Sequence, residues 1–409
     1  MNYIMAVEIE RAASIAQDLI DKTNASKPEI HSMMSVVKKF IQTHRVMCYG
    51  GTAINNLLSK KNQFYDSEKD IPDYDFFSDE AQKHCVQLSN LLVKSGIENV
   101  EAKAGVHVGT YKVFADYTAV ADISQLEDDV FDKLWRESIV KDGIHYVPPN
   151  FLRMSVYLEL SRPRGYVERW KKVYTRLQLL NEEYPVVCPT THKGVNEEVM
   201  TPEIKEKIED LLLKEKVVLL GFNASTLQEH SSHEWKLPLD ILADPDKSAD
   251  ITRQIVEIFG GRGKAKAREF EEYAELLPAH YDILDGKKLL VRVYETLACH
   301  SYQELSNGLR IASIPTLLNF FFAMLYADKE FVEHTSRQRL VCVAHRLVEM
   351  ANNSKKRRFK LLTPISCIGK QKDLLDMRRE KAEMYTKLSK NKNSREFMKY
   401  FFSYTPTRK

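Results

Sequence analysis

Between residues 27 and 44 the apolar positions Ile30, Met33, Met34, Val37, Phe40 and Ile41 fall three and four apart, so one face of a helix is apolar and the rest polar. A second helix is expected over 6–22. The pattern then changes. "RVMCY" (45–49) is a short, nearly continuous apolar run of strand length, and "TAINNLLSK", after the double glycine at 50–51, returns to helical spacing. "YDFFS" (74–78) reads as a strand, "SDEAQKHCVQLSNLLVKSG" (78–96) as a helix closed by Gly96, and "HVGTYKVFADYTAVADIS" (107–124) as one or two strands. Residues 128–140 read as a helix. Helix and strand thus alternate over the first 150 residues, the order of an α/β layer built on a small sheet. Residues 153–185 are mostly helical with a break at Pro163-Arg164-Gly165, and 186–200 read as a loop.

The same order then recurs. "EIKEKIEDLLLKEKVVLLGFNASTLQ" (203–228) parallels "SVVKKFIQTHRVMCYGGTAINNLL" (35–58): helix, short apolar strand, glycine, helix start. "LPLDILADPDKSADITRQIVEIFG" (237–260) parallels "IPDYDFFSDEAQKHCVQLSNLLVKSG" (71–96), and the strand "KKLLVRVYETLACHSY" (287–302) takes the place of the 107–124 segment. Two copies of one α/β unit are the reading. The second copy has Gly221-Phe222 in place of Gly50-Gly51 and keeps one acid, Asp240, so it reads as a degenerate scaffold. Further helices are expected over 308–350, with Leu317, Leu318, Phe320, Phe321, Leu325 and Tyr326 as core, and over 372–390.

Composition narrows the class. A chain of 409 residues has length for two or three domains, and no window approaches the eighteen apolar residues of a membrane span. The N-terminus lacks the layout of a signal peptide, so the protein is expected to stay in the compartment where it is made. The six cysteines (48, 85, 188, 299, 342 and 367) show no metal-ligand spacing, and reduced thiols without a disulfide framework are expected. Net charge is only +3, but its distribution is uneven. From Lys381 onward eight Lys or Arg face two Glu, interleaved with Tyr385, Phe397, Tyr400, Phe401, Phe402 and Tyr404; "KKRRFK" (355–360) and "GGRGKAKAR" (260–268) are further basic clusters. Basic groups beside aromatics suit a phosphate backbone and stacked bases, although any one cluster alone also fits a solvated face.

The candidate chemistry lies in the opening segment. Glycines directly after a strand let backbone N–H groups approach a phosphate, and the positive end of the next helix adds attraction. Gly50, Gly51 and Thr52 occupy that place. In "DYDF" the acids are two apart, so on a strand Asp73 and Asp75 share a face. Two like charges that close need a cation, and hard oxygen ligands suit Mg²⁺. A third carboxylate would complete a two-metal site. Asp116 and Asp122 are both candidates; Asp122, after the apolar run "TAVA", is the better placed. No serine or cysteine has a nucleophile's surroundings, and His107 and His145 read as core or surface residues.

Gly-Gly-Thr, then Asp-x-Asp, then a later strand Asp resembles the DNA polymerase β-like nucleotidyltransferase superfamily. "YGGTAINNLL", "IPDYDFFS", "VGTYKVF", "VADIS" and "RMSVYLELSRP" are similar to the poly(A) polymerase catalytic subunits of large cytoplasmic DNA viruses, of the poxvirus, mimivirus and African swine fever virus kind, across about residues 35–330. The long gap between Gly51 and Asp73 is shared by the viral enzymes. The resemblance implies an α/β (α+β) nucleotidyltransferase fold with a small mixed sheet, followed by a degenerate nucleotidyltransferase-like domain. The expected division is a helical region 1–44, a catalytic domain 45–185, the degenerate domain 186–350 and a basic, aromatic segment 351–409. It implies addition of AMP from ATP to an RNA 3′ end, with Asp73, Asp75 and Asp122 holding two Mg²⁺ or Mn²⁺ ions. Gly50, Gly51 and Thr52 would hold the triphosphate, and Asn55 would help orient it.

The polar stretch after residue 152 (Arg153, Ser155, Lys171 and Lys172 with Glu159, Arg162 and Arg169) reads equally as nucleotide or RNA contact and as Glu159 paired with an arginine to fix packing. A homodimer or a processivity partner, and a place in the host cytoplasm with virion packaging as a further site, follow from the same kinship. An inactive nucleotidyltransferase-fold module, and transfer to a non-RNA acceptor, are the alternatives.

Overall fold

The computed structural model describes residues 2–66, 68–189, 198–260 and 265–407, so parts of the basic cluster at 260–268 and of the loop at 186–200 lie outside the described residues. Two units divide the chain, residues 1–148 with 374–409, and residues 149–373.

In the first unit α1 (Asn2–Ala25) and α2 (Pro28–Thr43) lead into β1 (Met47–Cys48), α3 (Gly50–Leu57), β2 (Asp75–Ser78), α4 (Ala81–Lys94), β3 (Glu101–Ala104), β4 (Thr110–Ala115), β5 (Thr118–Gln125), α5 (Asp128–Glu137), β6 (Ile139–Lys141) and β7 (Ile144–Tyr146). The apolar face of α2, with Met33, Val37, Phe40 and Ile41, and that of α4, with Leu88 and Leu92, are buried against the sheet. Along β4, half-buried and buried residues alternate, which is the mark of a strand with one packed and one open face. Tyr111, Val113 and Ala115 face the helices; Thr110, Lys112 and Phe114 face the other way. The segment 107–124 therefore makes two strands, and their hairpin turns on Asp116 (φ 44°) and Tyr117 (φ 63°), both left-handed as a tight two-residue turn requires.

The second unit holds α6 (Pro149–Leu160), α7 (Trp170–Glu183), β8 (Glu198–Val199), α8 (Pro202–Glu215), β9 (Val218–Leu220), α9 (Gly221–Glu229), β10 (Lys236–Leu237), β11 (Leu239–Ala243), α10 (Pro245–Gly260), β12 (Ala265–Phe270), β13 (His280–Asp285), β14 (Lys288–Glu295), β15 (His300–Glu304), β16 (Arg310–Ala312), α11 (Ile314–Met324), α12 (Lys329–Val332), α13 (Arg337–Asn352) and β17 (Cys367–Ile368). Its sheet runs β12-β13-β14-β11-β9-β16-β15-β17, and that of the first unit runs β3-β4-β5-β2-β1-β7-β6 after one further edge strand. Strand by strand these are the same order. The pairings agree in direction as well: β2 is parallel to β5 as β11 is to β14, and β1 antiparallel to β2 as β9 is to β11. The repeat read from the sequence is thus a repeat of topology.

The units divide differently from the expected boundary after residue 185. Helix α6 packs on α11, where Asn319 Nδ2 donates to the Met154 carbonyl at 3.4 Å, so 149–185 goes with the second unit. The C-terminal segment, α14 (Leu374–Leu388), α15 (Arg395–Phe401) and β18 (Ser403–Tyr404), returns to the first unit, because β18 adds antiparallel to the β3 edge. Phe402 is buried edge-on against Tyr111, Tyr404 donates to Asn90 at 2.8 Å, and Lys381 donates to the Gly105 carbonyl. Phe397 and Phe402, two of the aromatics of the basic C-terminal segment, are packing residues.

The cysteine expectation is corrected. Cys188–Cys342 and Cys299–Cys367 are disulfides, with Cα separations of 4.4 and 5.3 Å, while Cys48 and Cys85 are buried free thiols. The bonded residues lie 154 and 68 positions apart, so chain spacing carries no sign of them. The pairing of β15 with β17 brings Cys299 to Cys367. No helix among the described residues is long and apolar enough to cross a membrane.

Candidate active site

The site lies on the open face of the first sheet. Asp75 opens β2 and stands in register with Asp122 on the parallel neighbour β5, so the two carboxylates sit side by side on one face. Asp73, two residues upstream and exposed, shares the alternation of Asp75. Backbone bonds hold Asp122 and Asp75 in place: Asp122 N–H donates to the Tyr74 carbonyl, and Tyr49 N–H to that of Asp75, each at 3.0 Å. Asp116, by contrast, lies in the hairpin turn and accepts from Asn99 Nδ2. Of the two candidates for a third acid, Asp122 is the one the fold brings to Asp75.

Gly50 starts α3 with φ +72°, and a Cβ there would sit 2.8 Å from Asp75 Oδ2. The glycine therefore does two things: it adopts the left-handed conformation at the strand-to-helix corner and leaves room for the carboxylate. The N-terminus of α3 has no side-chain cap, so the first N–H groups at the Gly50–Gly51–Thr52 end carry the helix's positive pole, next to Asp75. Thr52 is buried, and its Oγ1 donates to the Asp73 carbonyl at 2.6 Å, tying helix and acid-bearing segment together. Asn55 also works on the backbone. Its Oδ1 accepts from the N–H groups of Phe64 and Tyr65 at 2.8 and 2.9 Å, anchoring the long connection before Asp73. Beside it, a cavity of about 380 Å³ is lined by Lys38, Asn55, Tyr65, Tyr74 and Lys141 among others.

The next row of the face is Phe77, Ser124 and Thr110. Tyr49 stacks on Phe77 at 3.9 Å and shares a hydrogen bond with Ser124, which in turn contacts Thr110. Burial and then Asp75 raise the Tyr49 phenol well above its usual range; the Ser124 bond pulls it back, and Asp122 and Asp73 push it up further. All three carboxylates are thus felt at one point. Cys48, beneath them, is raised by burial and by Asp75.

Sequence reading missed Lys112. It stands in register with Asp122 on β4, and its ammonium forms an ion pair with that carboxylate. Its signal was available, a single basic residue in the alternating run "TYKVFA", but only strand pairing names its partner.

The other expected contacts lie in the second unit. Arg153 is 1% exposed and donates to Asn181 and Asn150 at 2.7 and 2.8 Å; burial holds its pKa down at about 10. Ser155 donates back to the Phe151 carbonyl, and Glu159 lies 3.4 Å from Arg169. These have packing partners of their own, while Lys171 and Lys172 are exposed at the start of α7.

Among the described residues no three Asp, Glu, His or Cys groups are already gathered as a metal cage. The donor set nonetheless fits a hard divalent cation: two in-register carboxylates, a third two residues from Asp75, and a glycine where a Cβ would crowd Asp75.

Residues 35–165 match the family model of the poly(A) polymerase catalytic subunit. The chain resembles the poly(A) polymerase catalytic subunits of large DNA viruses. A putative poly(A) polymerase catalytic subunit of Acanthamoeba polyphaga mimivirus is 28% identical over 221 residues, 53% of this chain and 36% of the relative. One of African swine fever virus (isolate Pig/Kenya/KEN-50/1950) is 28% identical over 176 residues, 42% of this chain and 37% of the relative. The matched part thus spans little more than a third of these curated relatives. The crystal structure of the Megavirus polyadenylate synthase superposes with a TM-score of 0.79 at 19% identity, covering 99% of this chain and 85% of that one. The fold is therefore that of a viral polyadenylate synthase, a nucleotidyltransferase-type fold, and the family match covers β1 to α6, which include the strands that carry Asp75 and Asp122.

Proposed function

We propose that the protein is a template-independent poly(A) polymerase that transfers AMP from ATP to the 3′-hydroxyl of RNA. The observation that carries this reading is the placing of Asp75 beside Asp122, against Gly50 and the uncapped start of α3. The N–H groups there offer a triphosphate a cradle that needs no side chain. Asp73, Asp75 and Asp122 are the residues that would hold two Mg²⁺ or Mn²⁺ ions. Such ions, when bound, neutralise charge on the attacking and departing oxygens of a phosphoryl transfer. Thr52 keeps Asp73 at the helix end through its carbonyl, so Thr52 positions an acid rather than reacting. Asn55 is assigned the same kind of task for the connection at 64–65. Catalysis by this chain is then orientation and charge placement, with no side-chain base required. Assembly as a homodimer or with a processivity partner, and location in the host cytoplasm, are proposed on the kinship alone.

The test is extension of an end-labelled RNA oligonucleotide with Mg²⁺ or Mn²⁺, each nucleotide offered separately, with the Asp73→Ala/Asp75→Ala double variant as blank. A long ladder with ATP, missing in the blank, is expected. ATP binding without extension of any RNA would turn the reading toward a different acceptor.

A further inference from the structure

Across the open face of the first sheet, Lys112, Asp122 and Asp75 stand in one row on three adjacent strands. The acid that would take a metal therefore already has a cation, and Lys112 reaches it from the side away from Asp75. The side chains of Lys112 and Asp122 are 39% and 20% exposed, so this pair is open to exchange with solvent species. The second unit provides an internal comparison. In its matching sheet, Asp240 stands in register with Arg292, and Arg292 with Asp282, so the row reads Asp282, Arg292, Asp240. The cross-strand ion pair occupies the same place with its charges exchanged: the base is on the central strand, where Asp122 would be. Here the cation is fixed. Arg292 is 1% exposed, donates through Nε and Nη2 to both Asp282 oxygens at 2.5 and 2.7 Å, and donates through Nη1 to the Phe331 carbonyl at 2.6 Å. Pro238 stands two residues before Asp240, where Asp73 precedes Asp75, so the second unit lacks the first aspartate of that pair.

Both units thus set one positive charge in this row of acids, one as a buried guanidinium held by Asp282 and the Phe331 carbonyl, the other as a lysine that still reaches solvent. We infer that Lys112 is a resident counter-ion of Asp122 that keeps the acids compatible in the free protein and is given up when a divalent cation enters. Lys112 is on this account a positioning residue, acting through Asp122. It lowers the affinity of the nucleotide-free protein for metal, because entry costs the Lys112–Asp122 pair. The inference rests on the metal-dependent reading of the site proposed above.

The experiment is a Mn²⁺ titration of the full chain without nucleotide, read by the electron paramagnetic resonance of free Mn²⁺. The proteins compared are wild type, Lys112→Met, Lys112→Gln, Lys112→Arg and Asp122→Asn. Loss of the positive charge in Lys112→Met and Lys112→Gln is expected to tighten binding about fivefold, the upper end for an ion pair that still reaches solvent. Lys112→Arg is expected to match wild type, and Asp122→Asn to bind more weakly. A general folding defect would weaken Mn²⁺ binding, so tightening separates the two explanations. Unchanged or weaker binding in both neutral variants, with wild type binding and Asp122→Asn impaired, overturns the counter-ion role alone. Wild-type Mn²⁺ binding that Asp122→Asn leaves intact overturns the site reading and the inference with it.

Discussion

Replacing Gly50 by alanine tests how the site is built, because the structure separates two consequences of that one methyl. The first is backbone strain: at φ +72° an L residue costs about 1–2 kcal/mol relative to glycine. The second is steric. The new Cβ would lie 2.8 Å from Asp75 Oδ2, closer than real Cβ atoms come, so either the carboxylate or the start of α3 must move. Misplacing a reacting group by about 1 Å costs on the order of a hundredfold in rate. Gly50→Ala is therefore expected to lose at least about a hundredfold in RNA extension with only the modest stability loss of the strain. Two controls separate the contributions. Gly96 has φ +85° and nothing within 4 Å of a built Cβ, so Gly96→Ala carries the strain without the collision and is expected to keep its activity. Gly221 is the counterpart of Gly50 in the second unit, where a Cβ would meet Asp240 Oδ2 at 2.1 Å; Gly221→Ala is expected to be the least stable of the three. The assays are primer extension under saturating ATP and thermal unfolding of each variant. If Gly50→Ala extended RNA at the rate of Gly96→Ala, the contact between Gly50 and Asp75 would have no part in the activity, and the reasoning would fail.

Asp122→Ala is expected to abolish extension and Asp116→Ala to leave it near wild type, since the latter loses only an exposed turn contact; equal rates would remove Asp122 from the site. Asp240 is fully buried, and burial, then offset by Arg292 and reinforced by Asp282, raises its pKa from 3.8 to about 7. The folded state therefore holds that proton longer than the unfolded one, and stability falls as pH rises from about 4 to about 7, by on the order of 4 kcal/mol, then levels off. Asp240→Asn is expected to flatten this part of the profile and to gain on wild type at pH 8 relative to pH 5 in thermal melts; parallel profiles would contradict it. Under non-reducing denaturing conditions two thiols, Cys48 and Cys85, are expected to react with an alkylating reagent, rising to six after reduction. Mass spectrometry counts them, and six before reduction would rule out the disulfides.

By itself the sequence determined the local elements and the residues that carry charge. The apolar spacing of Met33, Val37 and Phe40 sets the face of α2, and the alternation in "DYDFF" makes Asp75–Ser78 a strand with Asp75 and Phe77 on one face, because both patterns follow from the geometry of a single helix or strand. The duplication was legible for the same reason, since each copy repeats its own local pattern. What depends on pairing was not. That Asp122 faces Asp75 while Asp116 turns a corner follows from the register of β5 on β2 and from a hairpin two residues long. The partners of Lys112 and Arg292, the meeting of Cys299 with Cys367, and the return of β18 to β3 all join residues distant along the chain. Asn55 shows the same limit within one residue: that its oxygen accepts from two backbone N–H groups nine and ten positions away is invisible in the local pattern. Chain spacing constrains neighbours within a turn or a pleat. Which strands lie side by side is decided by burying the sheet's packed face as a whole, and only that burial assigns each charge its partner.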